Sequence, residues 1–241
     1  MDERIRRDVR LLKGYAVITS VALGVLMVSA FTRTQDKRRF DEIDVERINV
    51  IEKNGQIRLV IANRAKTPGP IEKGVPFGYP AGRRVGMIFY NDEGTENGGL
   101  IFSGRTVDGK VESVGSLTFD QYNQDQTVAL QHVESNNRRR SGLQINDLPT
   151  NASGLEVSRK RDEILKIADS VQRTTALAAL RRQYPFTSRA YFGKSSDGAS
   201  VVTLADARGK VRLRMVVDSA GPAKIEFLND SGRVVHAIPS P

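Results

Sequence analysis

Residues 198–238 read GASVVTLADARGKVRLRMVVDSAGPAKIEFLNDSGRVVHAI, and their rhythm decides the fold class. Gly198, Gly209, Gly221 and Gly232 fall 11, 12 and 11 residues apart, each with Asp, Asn or Ser no more than three positions before it. Those residue types accept positive φ or hydrogen-bond their own backbone, so they mark tight turns. The runs between them are Ala199 to Leu204, Val211 to Val217, Ala223 to Leu228 and Val234 to Ile238. Short strands at even spacing with polar turns predict an antiparallel meander that forms a sheet, sandwich or barrel. The alternation in VRLRMVV and AKIEFL predicts one buried apolar face and one wet face.

The same signals run upstream. Val45 to Val50 and Ile57 to Ala62 are joined by Lys53-Asn54-Gly55-Gln56, a hairpin signature. Thr67 to Arg84 holds four of the nine prolines and reads as a long irregular loop, a kind of segment that is often functional. Val85 to Tyr90 and Leu100 to Phe102 are apolar strands around a glycine-rich tip, and strands continue on both sides of Asp108-Gly109, at Thr127 to His132 and at Leu143 to Ile145. Arg138, Arg139 and Arg140 end a polar turn and read as a solvated charge run. One soluble helix is predicted over 153–184. Ser153 and Glu156 form a capping box, Ile164, Ile167, Ala168, Val171, Thr175 and Ala178 share a face, and Pro185 ends it. Its modest apolar face is expected to cover the sheet. The plan is a β-rich domain over 41–150, this amphipathic helix, and a β meander over 187–241 packing on the same domain.

Gly14 to Thr32 (GYAVITSVALGVLMVSAFT) is nineteen residues without a charge. As a helix it reaches about 28 Å, close to the roughly 30 Å of a bilayer's hydrocarbon core. It predicts one transmembrane anchor, preceded by a cytoplasmic tail over 1–13 and followed by a basic linker over 33–40. A cleaved signal peptide is the rival, with Val28-Ser29-Ala30 as the cleavage site. Against it, the run exceeds the usual apolar region of about 7 to 15 residues. Five basic residues precede the run (Arg4, Arg6, Arg7, Arg10, Lys13) and five follow (Arg33, Lys37, Arg38, Arg39, Arg47), so charge does not orient it. Short leading tails stay in the cytoplasm and long domains translocate largely regardless of charge. The expected place is a membrane crossed in a single pass, with the lipid bilayer as partner through residues 14–32 and the C-terminal domain extracytoplasmic.

With no cysteine there is neither a disulfide framework nor cysteine-ligated zinc. His132 and His236 have no partner at ligand spacing, so no metal and no cofactor are expected. Gly193-Lys194-Ser195 ends like a phosphate loop, but Ser188 stands where its leading glycine belongs. The net charge of +9 suits anionic surfaces, yet solubility accounts for it as well and nucleic acid is not favoured.

Two polar stretches supply the candidate binding residues. The first is the tip carrying Asn91, Asp92, Glu93, Glu96 and Asn97. The second, Phe119 to Gln126, carries Asp120, Tyr122 and Asp125. Oxygen ligands on a glycine-rich loop suit Ca²⁺, and paired carboxylates suit acid–base work. The same residues are what any sharp turn prefers, and the spacing is not that of a calcium-binding helix–loop–helix. No catalytic residue is assigned.

The strings FDEIDVERINVIEKNGQIRLVIAN (40–63), GMIFYNDEGTENGGLIFSG (86–104) and GSLTFDQYNQDQ (115–126) resemble a family of uncharacterised bacterial proteins that also begin with one apolar segment. The resemblance covers roughly residues 14–148. It implies a bacterial source, which makes the bacterial inner membrane the expected place of the anchor, and brings no activity or site residue with it. Three function classes follow: an envelope binding or structural module that meets an envelope protein or polymer; a hydrolase of an envelope polymer drawing on Asp92, Glu93, Glu96, Asp120 and Asp125; and, with reversed topology, a cytoplasmic domain contacting nucleic acid or lipid. With fifteen aromatics and no tryptophan, sugar stacking is poorly served, and the non-enzymatic reading leads.

Overall fold

Every turn glycine of the C-terminal rhythm closes a hairpin in the computed structural model, which describes residues 3–31 and 39–239. Six hairpins share one turn, starting at Glu52, Asn91, Ser195, Asp206, Asp218 and Asn229. The N–H of the starting residue donates to the carbonyl four residues on, and the glycine three residues on donates back, at 2.8 to 3.1 Å. These glycines have φ between 75° and 111°, which explains their residue type. Asn91, Asp206, Asp218 and Asn229 each accept the N–H two residues ahead through a side-chain oxygen, locking the turn.

The chain is mainly β, with 42% strand and 25% helix. Its elements are α1 (Glu3–Phe31), β1 (Arg47–Ile51), β2 (Ile57–Ala62), β3 (Ile71–Glu72), β4 (Val75–Pro76), β5 (Gly86–Tyr90), β6 (Glu96–Val107), β7 (Lys110–Asp120), β8 (Gln126–Ser135), β9 (Arg138–Asp147), α2 (Gly154–Leu165), α3 (Ser170–Gln183), β10 (Thr187–Lys194), β11 (Ser200–Ala205), β12 (Val211–Val217), β13 (Ala223–Leu228) and β14 (Val234–Ile238). Twelve strands form one antiparallel sheet in the order β1-β2-β5-β6-β7-β8-β9-β10-β11-β12-β13-β14, and β3 pairs with β4 alone. Each strand lies beside its sequence neighbour in the sheet. Among the described residues β1 and β14 do not pair, so the sheet is open and single.

Register divides the sheet into two chemically distinct faces. One cross-strand row runs Ile48, Ile61, Met87, Leu100, Leu117, Leu130, Leu143, Phe192, Val202, Met215, Ile225, Ile238, apolar from edge to edge. A second row on this face runs from Val50 to His236 through Phe89, Phe119, Ile145 and Phe227, with Gly98 and His236 its only departures from apolar. The opposite face carries Val60, Ile88, Thr118, Ala129, Gln144, Tyr191, Thr203, Arg214 and Glu226.

The expected burial is reversed. Leu213, Met215, Ile225 and Phe227 lie on the apolar face, and none of that face's side chains in the two rows is buried. Val60 and Ile88 on the other face are fully buried, forming a core cluster with Ala62 and Tyr90 that packs Ile71 of β3. On β12 and β13 the covered face is ionic: Arg214 and Lys224 both pair with Glu226, which is 4% exposed. In the middle, the Tyr191 ring lies over Gly142 and Gly193, its hydroxyl shared between the carbonyls of Ser141 and Lys194 at 2.9 and 2.8 Å. Arg140 stacks on the same ring at 4.3 Å. A Cβ at Gly193 would stand 2.1 Å from the Ser141 carbonyl oxygen, so only glycine leaves room for this packing.

The single helix over 153–184 is two helices. Ser153 caps α2 as its spacing implies, accepting the Glu156 N–H. The chain breaks after Leu165, and Asp169 caps α3 by accepting the Gln172 N–H at 2.7 Å. Neither helix has a buried residue, so they do not cover the sheet face as expected. Strands also run further than read: β9 includes Arg138 to Arg140, β6 begins at Glu96, and β10 fills the start of the expected 187–241 meander, ahead of the first run named there at Ala199.

Residues 1–44 form a unit of their own. The helix α1 is long and apolar enough to cross a membrane, and it extends back through Arg4 to Lys13, the stretch expected as a tail. Thr32 to Arg38, most of the expected linker, lie outside the described residues.

Candidate functional site

A cleft of about 360 Å³ lies on the covered side, between the 70–84 loop, the ends of β6 and β7, α2 and the chain after α3. Three clamps hold its walls. Glu72 on β3, itself buried, accepts the Leu155 N–H at 2.9 Å, tying the loop to the first turn of α2. The Gly154 N–H donates to the Asn123 carbonyl at 2.8 Å. Gln124 donates its amide to the carbonyls of Pro149 (3.0 Å) and Ala152, and Gln121 bonds the Leu148 backbone. The amide-dense stretch 119–126 therefore serves largely to fasten one loop to another.

Arg84 is the pivot of the floor. Its guanidinium meets Glu96 with both Nη atoms, donates to the Pro68 carbonyl at 3.2 Å, and lies 5.2 Å from the Tyr79 ring centre. The side chains of Arg84 and Glu96 are only 12% and 14% exposed, so this two-pronged pair is geometrically fixed. Burial pushes the Tyr79 hydroxyl up to about 12, keeping it neutral as a donor. Phe77, Tyr184 and Phe186 complete an aromatic wall, with Arg161 of α2 also lining the space.

Asp120, the last residue of β7, has a buried oxygen, Oδ1, without a hydrogen-bond partner. Burial raises its carboxyl to about 7, repulsion from Glu96 and Asp125 adds to the shift, and Arg84 opposes it. Asn123 likewise keeps a buried, unpartnered Oδ1 in the cleft. Buried acceptors left unpaired cost on the order of 1–3 kcal/mol each, a cost that a donor entering the cleft would remove.

The structure separates the candidate residues into two groups. Glu96, Asp120 and Asp125 line the cleft, Glu96 already committed to Arg84. Asn91, Asp92 and Glu93 sit outside it on the β5–β6 turn. Asn91 locks that turn, Asp92 pairs with Arg58 at 2.7 Å, and Glu93 accepts from Tyr122 at 2.8 Å and pairs with Lys73 at 3.1 Å. Asn97 stands in β6 away from the cleft lining. Among the described residues no group of acids and histidines converges as a metal site. His132 bonds Ser141 at 2.7 Å, and His236 tilts against Phe227. Arg84, Tyr79, Phe77, Tyr184 and Phe186 escaped sequence reading. The length of the Thr67–Arg84 loop was the signal that pointed to the wall carrying Phe77, Tyr79 and Arg84.

The chain matches no protein-family model, no curated protein and no solved structure. What defines it is architecture: an apolar N-terminal helix, a twelve-stranded open meander, and one acid-floored, aromatic-walled cleft.

Proposed function

We propose that this is a membrane-tethered, extracytoplasmic binding module that holds a small group through the Asp120 cleft, without catalysis. The bilayer takes α1, and the cleft takes a hydrogen-bond donor or an organic cation presented by an envelope polymer or protein. The observation that carries the reading is the unpartnered, buried Asp120 oxygen at the floor of a cavity with aromatic walls. A carboxylate beside aromatic faces is the chemistry that receives an amine or ammonium group. The volume of about 360 Å³ suits a single residue or sugar-sized group rather than an extended chain.

The test is calorimetric titration of the full chain in detergent with amino sugars and with short lysine-bearing peptides, at pH 6 and pH 8. Asp120 must lose its proton to meet a cation, so affinity is expected to rise across pH 7 and to become flat with pH in Asp120→Asn. No binding by either probe, or equal binding by Asp120→Asn, contradicts the reading.

A hydrolase is the second reading, favoured by one observation: Asp120 is half-protonated near neutrality, as a general acid requires, and Asp125 lines the same cleft. Against it, Glu96 is held by Arg84 and Asp125 lies exposed, its Oδ1 accepting the Gln126 N–H. Turnover of an envelope polymer that disappears in Asp120→Asn would favour it.

A further inference from the structure

From the two edge-to-edge rows we infer that the apolar face of the sheet is the docking surface for a second copy of this chain. The face spans twelve strands, about 50 Å at the usual strand spacing, and is two side chains deep, about 13 Å. That footprint approaches 700 Å², above the largest apolar patch of ordinary monomers and close to the roughly 800 Å² that each partner contributes to a stable interface. Phe192, at 66% exposed, and Leu130, at 54%, stand at its centre. Over β10–β14 the face hollows into a shallow apolar trough of about 490 Å³ around Phe192, Val202, Met215 and Ile225, a receptor for protruding side chains.

Chemistry points to a copy rather than another occupant. A two-fold pairing brings opposite ends of a patch together, so each end must tolerate the other. Neither row holds a formal charge at any position, and both ends of the first row are isoleucine, Ile48 and Ile238, so the two rows meet their own copies as apolar against apolar; charges of this face at Glu134, Arg139 and Lys194 lie in the rows beyond them, on one side. Sheets with such faces stack about 10 Å apart with strands near −30°, which is the arrangement of a sandwich. The sandwich considered from the sequence is then completed between chains rather than within one.

The native chain has no cysteine, so single-cysteine variants of the full chain report one position each. Leu130→Cys, Phe192→Cys and Met215→Cys probe the apolar face; Gln131→Cys and Thr203→Cys probe the other. Cells producing each variant are treated with a short membrane-permeant bismaleimide. The expected result is a product of twice the chain mass from at least one apolar-face variant and little from either opposite-face variant. Adding Phe192→Asp to Met215→Cys is expected to abolish the product and to open the thiol to a monofunctional maleimide. Equal crosslinking from both faces overturns the inference. So do apolar-face thiols that are freely labelled in the otherwise native chain. Thiols that are protected but yield no two-copy product also overturn it, since a lipid or a different protein would then occupy the face.

Discussion

The two faces of the sheet are made by the same twelve strands, yet they are built on opposite principles. The covered face mixes small, polar and charged side chains and receives the 63–84 loop, which buries Val60 and Ile88 completely. The two central rows of the other face are apolar, and none of their side chains is buried within residues 45–239; Phe119 there is 49% exposed. Residue hydrophobicity alone therefore does not tell inside from outside. The ion pairs of Arg214 and Lys224 with Glu226 bury polar groups that satisfy one another, while the apolar rows on the other side stay partly or fully exposed within residues 45–239.

The largest expected contrast comes from removing comparable side chains on each side. Ile88→Ala on the covered face should cost about 3–4 kcal/mol in denaturant unfolding, a cavity in a closed core. Leu130→Ala on the bare face should cost under about 1 kcal/mol in dilute micelles, and more only where chains are crowded. Equal costs at all concentrations would erase the distinction.

Next, Glu96→Gln removes one partner of the nearly buried pair under the cleft and is expected to destabilise by about 2–4 kcal/mol, because the Arg84 guanidinium stays behind uncompensated. Asp120→Asn acts in the opposite direction. Its raised carboxyl keeps a proton in the folded state that the unfolded state has released, so wild-type stability falls as pH rises from about 4 to about 7. The variant should therefore gain about 1–2 kcal/mol above pH 7 and nothing below pH 4, read from unfolding midpoints across that range. Smallest, Tyr191→Phe strips the hydroxyl shared by Ser141 and Lys194 and is expected to cost about 1 kcal/mol.

Much of the strand plan was legible because turns announce themselves locally. Asp206 to Gly209 and Asn229 to Gly232 are complete instructions within four residues, and Asn91 to Gly94 is the same instruction. Strand ends were less legible, since Gly104 and Arg138 carry no strand propensity and are held in place by their neighbours across the ladder. The helix break failed to show because apolar spacing continues through Ile167 and Ala168, and only the Asp169 cap ends it. Side of burial was illegible in principle. Alternation in VRLRMVV says that two faces differ but not which one closes; on β12 and β13 the closed side is the one where Arg214 and Lys224 cover Glu226. For the cleft, Asp120 and Asp125 could be picked by type, but Arg84 and Tyr79 arrive through a proline-rich loop whose path no local rule dictates.

Hydroxyl-radical footprinting of the full chain, diluted in excess micelles so that each holds one copy, tests the assignment of faces most directly. The account expects Phe192, Met215 and Phe227 to oxidise rapidly while Tyr90 and Tyr191 stay protected. Rapid oxidation of Tyr90 and Tyr191 alongside protected Phe192 and Met215 would contradict it.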